Sequence, residues 1–477
     1  MLAAGLAPAR DQPDPGAREQ QEPTYEAPSV LSRQNAFNSY AHFAGTALDS
    51  EMPVAAAPQD SSYPGPSILS RESGLSEETR GAMNVFGLYA EIIGVYDSGL
   101  TTAQGSQVDG FGEETNFGAN VSHNWRRGKL TVQYRGSYRR YTDAPAFNGF
   151  DQYLQLNYSE ALLRHLTLDL KNTLGTTTLA NGAFSFFPLT ALDRLGLPTD
   201  ELFDSRTTYL QSRVDLTWRL TPRLSFNFGG DGFVVRRASV LLAGLNGFNV
   251  RASAAYRLTH QQTISVSYEN TYFDFQAAYG NSRLETIALG YSIGLTREWN
   301  LSTLAGGIRV NTLGLMQVPL DPAITALTGE TFAVVTFSNV RYLPVAEVRL
   351  TRRFKNASLS FDYSTGVTPG NGLYLTSRQT SGLISYSSTA SRAIQVRIIA
   401  GYNQLSALGQ SLRTYSNLQG GVQVLYKLTG GTYIDVRYDY RHYTTPYILG
   451  DAILEMDSNR ISLGIAFSLG ETSPVMW

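Results

Sequence analysis

The segment Thr432-Tyr-Ile-Asp-Val-Arg-Tyr-Asp-Tyr-Arg-His442 alternates with a period of two. In an extended chain Ile434, Val436, Tyr438 and Tyr440 share one face. Tyr433, Asp435, Arg437, Asp439 and Arg441 share the other, because successive strand side chains point to opposite sides. Such a strand has two uses. Its apolar face can cover a core while its charged face meets bulk water. Alternatively, its apolar face meets lipid while its charged face lines a wet interior. The rest of the chain decides between them.

Composition favours the second use. The chain has 477 residues, of which only 16% are charged, against roughly 25% in soluble domains. Tyr (28) outnumbers Phe (22), and Gly reaches 44. A net charge of −2 gives no basic footprint for nucleic acid. With no Cys, disulfides, thiolate metal sites and Cys nucleophiles are excluded. No apolar run approaches the ~18 residues of a membrane helix. A membrane-spanning form must then be a closed barrel, since lipid offers nothing to an open sheet edge.

Working outward from 432–442, alternating segments fill the chain from Asn84 almost to its end. They start near Leu88, Asn116, Lys129, Phe150, Leu166, Thr207, Leu224, Asn249, Thr263, Leu284, Leu301, Val345, Ser358, Ser381, Ile394, Asn417, Thr432 and Arg460. Each is about ten residues long, enough to cross a bilayer at a tilt. Parity is weakest in the seventh, Leu224–Arg236, where the apolar phase slips near Phe233. Short turns, such as Arg126-Arg127-Gly128 and Thr221-Pro222-Arg223, alternate with long links, such as 98–115, 177–206, 313–341 and 366–378. Tight turns on one rim and long loops on the other are the rhythm of outer-membrane barrels, with both termini on the short-turn side.

The faces agree between segments. Phe117, Ala119 and Val121, then Leu130, Val132 and Tyr134, then Ile461, Leu463, Ile465 and Phe467 share the apolar parity. The opposite parity carries Arg135, Arg139, Arg213, Asp215, Arg251, Arg257, Glu347, Arg349, Arg353, Arg397, Asp435, Arg437, Asp439 and Arg441. That face is too polar for the inside of a sandwich and suits an aqueous lumen. Trp125, Trp218 and Trp299 stand beside short turns, while Tyr96, Tyr138, Tyr141, Tyr272, Tyr440 and Tyr443 lie toward the long links. Aromatic girdles at both interfaces follow from the amphipathic character of these rings.

On strand rhythm, turn alternation, girdles and the last strand Ile461–Leu469, residues 84–470 resemble a bacterial outer-membrane porin-type β-barrel, of the broad class without an assigned solute. In that class the closing strand commonly ends in a C-terminal aromatic residue. Here several residues separate the strand from Trp477. The fold expected is all-β, a transmembrane antiparallel barrel of about 18 strands over 81–477, with outer-membrane lipid and the outer-membrane assembly machinery as partners. The resemblance implies that the third long link, 177–206, folds inward to narrow the lumen. Phe186, Phe187, Asp193 and Arg194 then stand at the constriction; the competing reading is an external, surface-packed loop.

Residues 10–80 are rich in Pro, Ala, Ser, Glu and Gln, which reads as a disordered periplasmic segment. At the start, Met1–Ala9 with Ala7-Pro8-Ala9 reads either as the tail of a secretory signal or as a flexible terminus. Pro28-Ser-Val-Leu-Ser-Arg33 recurs as Pro66-Ser-Ile-Leu-Ser-Arg71, a pair suited to docking on a periplasmic partner or on the barrel interior, or else a duplicated linker.

Rings of side-chain charge set pore preference. More cations than anions on the lumen parity predict a weak anion preference, unless the charges pair with one another, as the Asp435–Arg441 series can. The function expected is passive diffusion of small hydrophilic solutes. Two alternatives stay open: an export port, for example for exopolysaccharide, working with a periplasmic partner; and a non-conducting barrel plugged by its N-terminal segment. Catalysis is not expected, since the five histidines (42, 123, 165, 260 and 442) lie in no nucleophile or metal motif. No cofactor or metal is implied.

Overall fold

The computed structural model describes residues 85–101, 107–177, 206–238, 242–276, 278–321, 332–372, 374–391, 393–408, 414–446 and 453–469, with the isolated positions 34, 35, 327 and 329. The N-terminal segment, the 178–205 link with Phe186, Phe187, Asp193 and Arg194, and the C-terminal Trp477 lie outside these residues.

Eighteen strands form one closed barrel. In chain order they are β1 (Val85–Thr101), β2 (Gln107–Asn124), β3 (Gly128–Tyr141), β4 (Gly149–Leu163), β5 (Leu166–Thr177) and β6 (Thr207–Arg219). There follow β7 (Leu224–Arg237), β8 (Gly244–Arg257), β9 (Gln262–Gln276), β10 (Gly280–Gly294), β11 (Trp299–Pro319) and β12 (Phe332–Arg353). The last six are β13 (Ala357–Thr368), β14 (Ser377–Thr389), β15 (Ile394–Ala407), β16 (Tyr415–Thr429), β17 (Thr432–Pro446) and β18 (Ile453–Leu469). Every strand pairs antiparallel with its sequence neighbours, and β1 closes on β18 from Leu88–Leu469 to Ser98–Asn459. No edge is left along the closed wall, which is the condition for standing in lipid.

The strands are longer than the alternation alone suggested, because pairing continues past the membrane. β1 and β2 consume most of 98–115, and β11 with β12 consumes most of 313–341. The β11–β12 hairpin pairs from Trp299–Arg352 to Pro319–Phe332, whereas β12 meets β13 only from Ala346–Thr365 to Arg353–Ser358. Its upper part therefore stands clear of β13.

A recurring device makes the short turns. A Ser or Thr at the turn entry accepts backbone N–H groups two and three residues on. Thr221 Oγ1 takes Arg223 N at 3.2 Å and Leu224 N at 2.9 Å. Thr296 Oγ1 does the same for Glu298 and Trp299, and Ser391 Oγ for Ala393 and Ile394. These bonds satisfy backbone donors that the ladder leaves at the rim.

The outer surface is an apolar band. Ile287, Leu289, Ile461, Leu463 and Leu469 are all more than half exposed, Leu469 reaching 69%, and Phe467 is nearly so. Adjacent strands extend the band through Val214, Phe228, Val250, Val266 and Ile398. A soluble monomer exposes apolar patches of a few hundred Å² at most. Each such side chain left in water forfeits about 1–2 kcal/mol. The barrel is therefore a membrane-spanning one, and its even strand number, all-next-neighbour meander and aromatic rims are those of the bacterial outer membrane. Short turns and both barrel ends lie on the periplasmic rim.

Trp125 and Trp218 face outward at that rim, and Trp299 lies beside them, its ring 5.0 Å from the Arg352 guanidinium. On the other rim Tyr138 faces outward as expected, but Tyr141 and Tyr443 are buried inside. Strand parity explains the correction: both lie an odd number of residues from an outward tyrosine on the same strand.

Candidate functional site: the charged lumen

Pairing registers place all fourteen charged residues singled out in the sequence on the inner face of the wall. Arg139 stands opposite Glu114, Arg213 opposite Asp231, Arg251 opposite Glu269, Arg349 opposite Asp362 and Arg437 opposite Gln423. Seven of the fourteen are joined by ion pairs into two networks and one separate pair.

The first network spans the closure of the barrel. Arg437 of β17 donates from Nη2 to Glu91 Oε1 of β1 at 2.8 Å and also bonds Asp435 on its own strand. Gln423 Nε2 donates to Asp435 at 3.0 Å, and Asn116 Nδ2 to Glu91 Oε2 at 3.0 Å. Glu114 receives Arg139 Nε at 3.3 Å and Arg460, while Arg139 Nη2 reaches Asp151 at 3.0 Å. Asp97 accepts the Tyr141 hydroxyl and lies 3.8 Å from Arg460 Nε. Between β17 and β1, the inner face of β18 carries Ser462, Gly464 and Ala466. These small residues leave the room in which Arg437 crosses to Glu91.

The second network joins β6 to β9. Arg251 holds Asp215 through Nη2 at 2.7 Å and Asp231 through Nη1 at 3.0 Å, and Arg213 also bonds Asp215. Asn249 donates to Asp231 at 3.3 Å and to Glu269, which also takes the Thr271 hydroxyl at 3.3 Å. Arg349 and Asp362 form the separate pair. Between β13 and β14 the inner contacts on either side of Asp362 are hydroxyl pairs: Ser360 meets Ser385 at 2.7 Å, and Ser364 meets Ser381 at 2.7 Å.

Sequence reading missed Asp97, Glu114, Asp151 and Asp231, although each completes a network. Glu114 fell in a stretch taken as a long link, and Asp231 beside the apparent slip at Phe233. The register of β7 is in fact unbroken: Phe233 and Val235 point inward. Their signal was the parity itself, carried through apolar inner residues. Such residues recur as Ile93, Val95, Phe273, Phe275, Ile308 and Val310, all buried on the inner side.

The remaining singled-out residues behave differently. Arg135 lies with its guanidinium 5.7 Å from the Tyr153 ring, and Arg441 lies 5.4 Å from the Tyr443 ring. Arg397, Glu347 and Asp439 make no ion pair with a described residue. Nor do Arg257 and Arg353, the two nearest the periplasmic turns. At that level Lys129, Arg219 and Lys427 also face inward, again without ionic partners among the described residues. His442 points outward and bonds Asp457 at 3.0 Å, away from Asp439 and Arg441. Among the described residues no group of carboxylates and histidines is arranged to hold a metal ion.

Long-rim link seven, between β13 and β14, folds into the lumen. Gly366–Gly370 and Tyr374–Ser377 are buried. Thr376 Oγ1 reaches Ser282 Oγ on the inner face of β10 at 2.6 Å, and Thr376 O accepts Leu408 N at 2.8 Å. Tyr374, fully buried, packs on Leu405, Tyr415, Tyr443 and Met456 from β15 to β18. The link thus touches the inner faces of β10 and of β15–β18. It turns at Gly370, whose φ is +75° and where a Cβ would lie 1.6 Å from Tyr374 O. Sequence gave no sign of this, since the turn depends on tertiary contacts.

No protein-family model and no curated protein matches the chain. Solved structures match over most of its length. Outer membrane protein OpdK from Pseudomonas aeruginosa is 11% identical, with 81% of this chain and 98% of that one covered, at a TM-score of 0.38. OccK2 (OpdF) from Pseudomonas aeruginosa is 12% identical, with 82% and 98% covered, at 0.41. Acinetobacter baumannii OccAB1 is 11% identical, with 80% and 97% covered, at 0.38. The class of the chain, an outer-membrane porin-type barrel, follows from its own strand pairing and apolar outer band.

Proposed function

We propose that the barrel is a passive channel for small hydrophilic solutes with a weak preference for anions. One observation carries the preference. In the middle of the lumen Arg139, Arg213, Arg251, Arg349 and Arg437 are each paired with an adjacent carboxylate, so their charge is largely balanced there. At the periplasmic mouth Lys129, Arg219, Arg257, Arg353 and Lys427 face inward with no carboxylate partner among the described residues. An unbalanced ring of charge at an entrance raises the local concentration of the opposite ion. The inward link at 366–377 limits solute size on the other side. An 18-strand wall is wide enough to keep an aqueous path beside such a link.

The test is conductance and reversal potential in a planar bilayer under a salt gradient. A steady channel whose reversal potential lies on the anion side supports the reading. Cation selectivity overturns the preference, and silence from folded protein overturns the channel.

A further inference from the structure

The outer rim of the barrel is polarised on its lipid-facing side. Among the described residues from β18 to β3, carboxylates outnumber arginines: Asp109, Glu113, Glu455 and Asp457 face outward against Arg140. From β7 to β11 the balance reverses. Arg236 offsets Asp274 across their shared neighbour Asn246, to which Arg236 donates at 2.9 Å. Beside them Arg283 Nη2 lies 3.2 Å from Glu285 Oε1, and Arg309 Nη1 lies 3.0 Å from Glu285 Oε2. The exposed Tyr342 stands opposite Arg309 and bonds it. One carboxylate thus holds two half-exposed guanidiniums side by side, with a net positive charge. A guanidinium has five N–H donors, so each keeps donors for a further ligand.

The cluster stands where the apolar band ends. On the outer face of β10, Glu285 lies one step beyond Ile287 and two beyond Leu289, both more than half exposed. Arg283 is level with Tyr272, whose ring lies 5.6 Å from that of Phe248. Aromatic girdles mark the membrane interface, so the two guanidiniums sit at headgroup height. Below them the wall is recessed. The outward positions of β11 and β12 there are Ala305, Gly307, Pro344 and Ala346, and a Cβ at Gly307 would meet nothing within 4 Å. Ile287 and Leu289 flank the recess on one side; on the other, β12 parts from β13 beyond Ala346. Three strand spacings, about 14 Å, separate β10 from β13, which leaves room for hydrocarbon to lie against the floor.

We propose that Arg283 and Arg309 bind a phosphate of the phosphorylated glycolipid that forms the outer leaflet, with one of its acyl chains in the recess below. Charge and position select this occupant together. Arginine forks match phosphate oxygens bidentately. Glu285 fixes the spacing of the two forks, and the recess begins where headgroup gives way to hydrocarbon. The site lies on the outside of the wall, so it stands apart from whatever passes through the lumen.

The experiment is native mass spectrometry of the full chain, refolded in neutral detergent and mixed with a bisphosphorylated, multiply acylated glucosamine disaccharide. The native protein is compared with R283Q/R309Q, with G307L and with R297Q, a short-turn substitution on the opposite rim, each shown to be folded by its unheated gel mobility. The native chain and R297Q are expected to retain one glycolipid. Affinity is expected to fall about tenfold in R283Q/R309Q, as charge-assisted hydrogen bonds are lost, and several-fold in G307L. The dephosphorylated glycolipid is expected to bind the native chain as weakly as the intact one binds R283Q/R309Q. Equal retention by the native chain and R283Q/R309Q would overturn the proposal. So would displacement by phosphatidylglycerol or inorganic phosphate at equal concentration, since the arginines would then form a general anion site. A dimer of the chain that excludes the glycolipid and dissociates in G307L would overturn it as well, giving the recess to a second copy.

Discussion

Two belts of charge lie on the same strands and are built by opposite rules. On β6, Arg213 is bound to Asp215, while Arg219, six residues nearer the periplasm, has no ionic partner among the described residues. On β8, Arg251 holds two carboxylates and Arg257 none. On β12, Arg349 holds Asp362 and Arg353 none. Desolvation explains the contrast. In the middle of the wall Arg213, Asp215 and Arg251 are largely removed from water, and pairing offsets the cost of burying their charge. At the mouth they stay hydrated, so an unpaired charge costs little and its field extends into the entrance.

The comparison is broken most severely by removing a cation from the inner belt. Arg251→Met leaves Asp215 without one of its arginines and removes the Arg251 contact from Asp231. Loss of one partner of a buried ion pair costs about 3–5 kcal/mol. The urea midpoint of the refolded barrel is expected to fall accordingly. Arg257→Met, on the same strand, is expected to stay within about 0.5 kcal/mol of native. Equal destabilisation by the two would mean that the belts are not distinct.

Next in size is Gly370→Val. Its Cβ falls 1.6 Å from Tyr374 O and the backbone is left-handed there, so the inward link must leave its seat. Strain of this kind costs about 1–3 kcal/mol. If the link narrows the lumen, single-channel conductance rises while the mouth's ion preference is unchanged. A variant that folds and conducts as the native protein does would remove the link from the solute path.

Much of this contrast was legible before any coordinates. Period-two parity placed Arg213, Arg251 and Arg349 on the inner face, and turn alternation set the eighteen strands and their rim. Within the Asp435–Arg441 series the Arg437–Asp435 contact was legible as a same-face neighbour pair, but the pairings between strands were not. Arg437 meets Glu91 across β18, a contact 346 positions apart in the chain. Register across a closed wall, not local pattern, decides such pairs. Asp97 and Glu114 were hidden for a related reason: polar sequence at the top of β1 and β2 looks like loop, yet pairing carries the strands through it. The inward link was illegible because its seat is made by Ser282, Leu405, Tyr415 and Tyr443, scattered over four other strands.

Removing the outer belt alone tests selectivity without touching stability. Replacing Lys129, Arg219, Arg257, Arg353 and Lys427 together by Gln is expected to move the reversal potential to or past zero in a salt gradient. The urea midpoint is expected to hold. A reversal potential that stays on the anion side would locate the preference elsewhere, for instance at Arg135 or Arg397 in the middle of the wall.

The smallest expected effect comes from two neighbouring arginines. Arg352 and Arg353 are adjacent on β12, so parity sends them to opposite sides of the wall. Arg352 faces the lipid side at the girdle, 5.0 Å from the Trp299 ring and 4.4 Å from the Phe354 ring. Arg353 faces the mouth. Arg352→Ala removes both ring contacts, each worth about 0.5–1 kcal/mol at an exposed site. It should lower the urea midpoint slightly and leave the reversal potential alone. Arg353→Ala should shift the reversal potential slightly and leave the midpoint alone. The two substitutions delete the same chemical group one residue apart, so composition cannot explain a crossed result. Only a wall with a lipid-facing side and a solute-facing side predicts it, and two parallel responses would refute that assignment for β12.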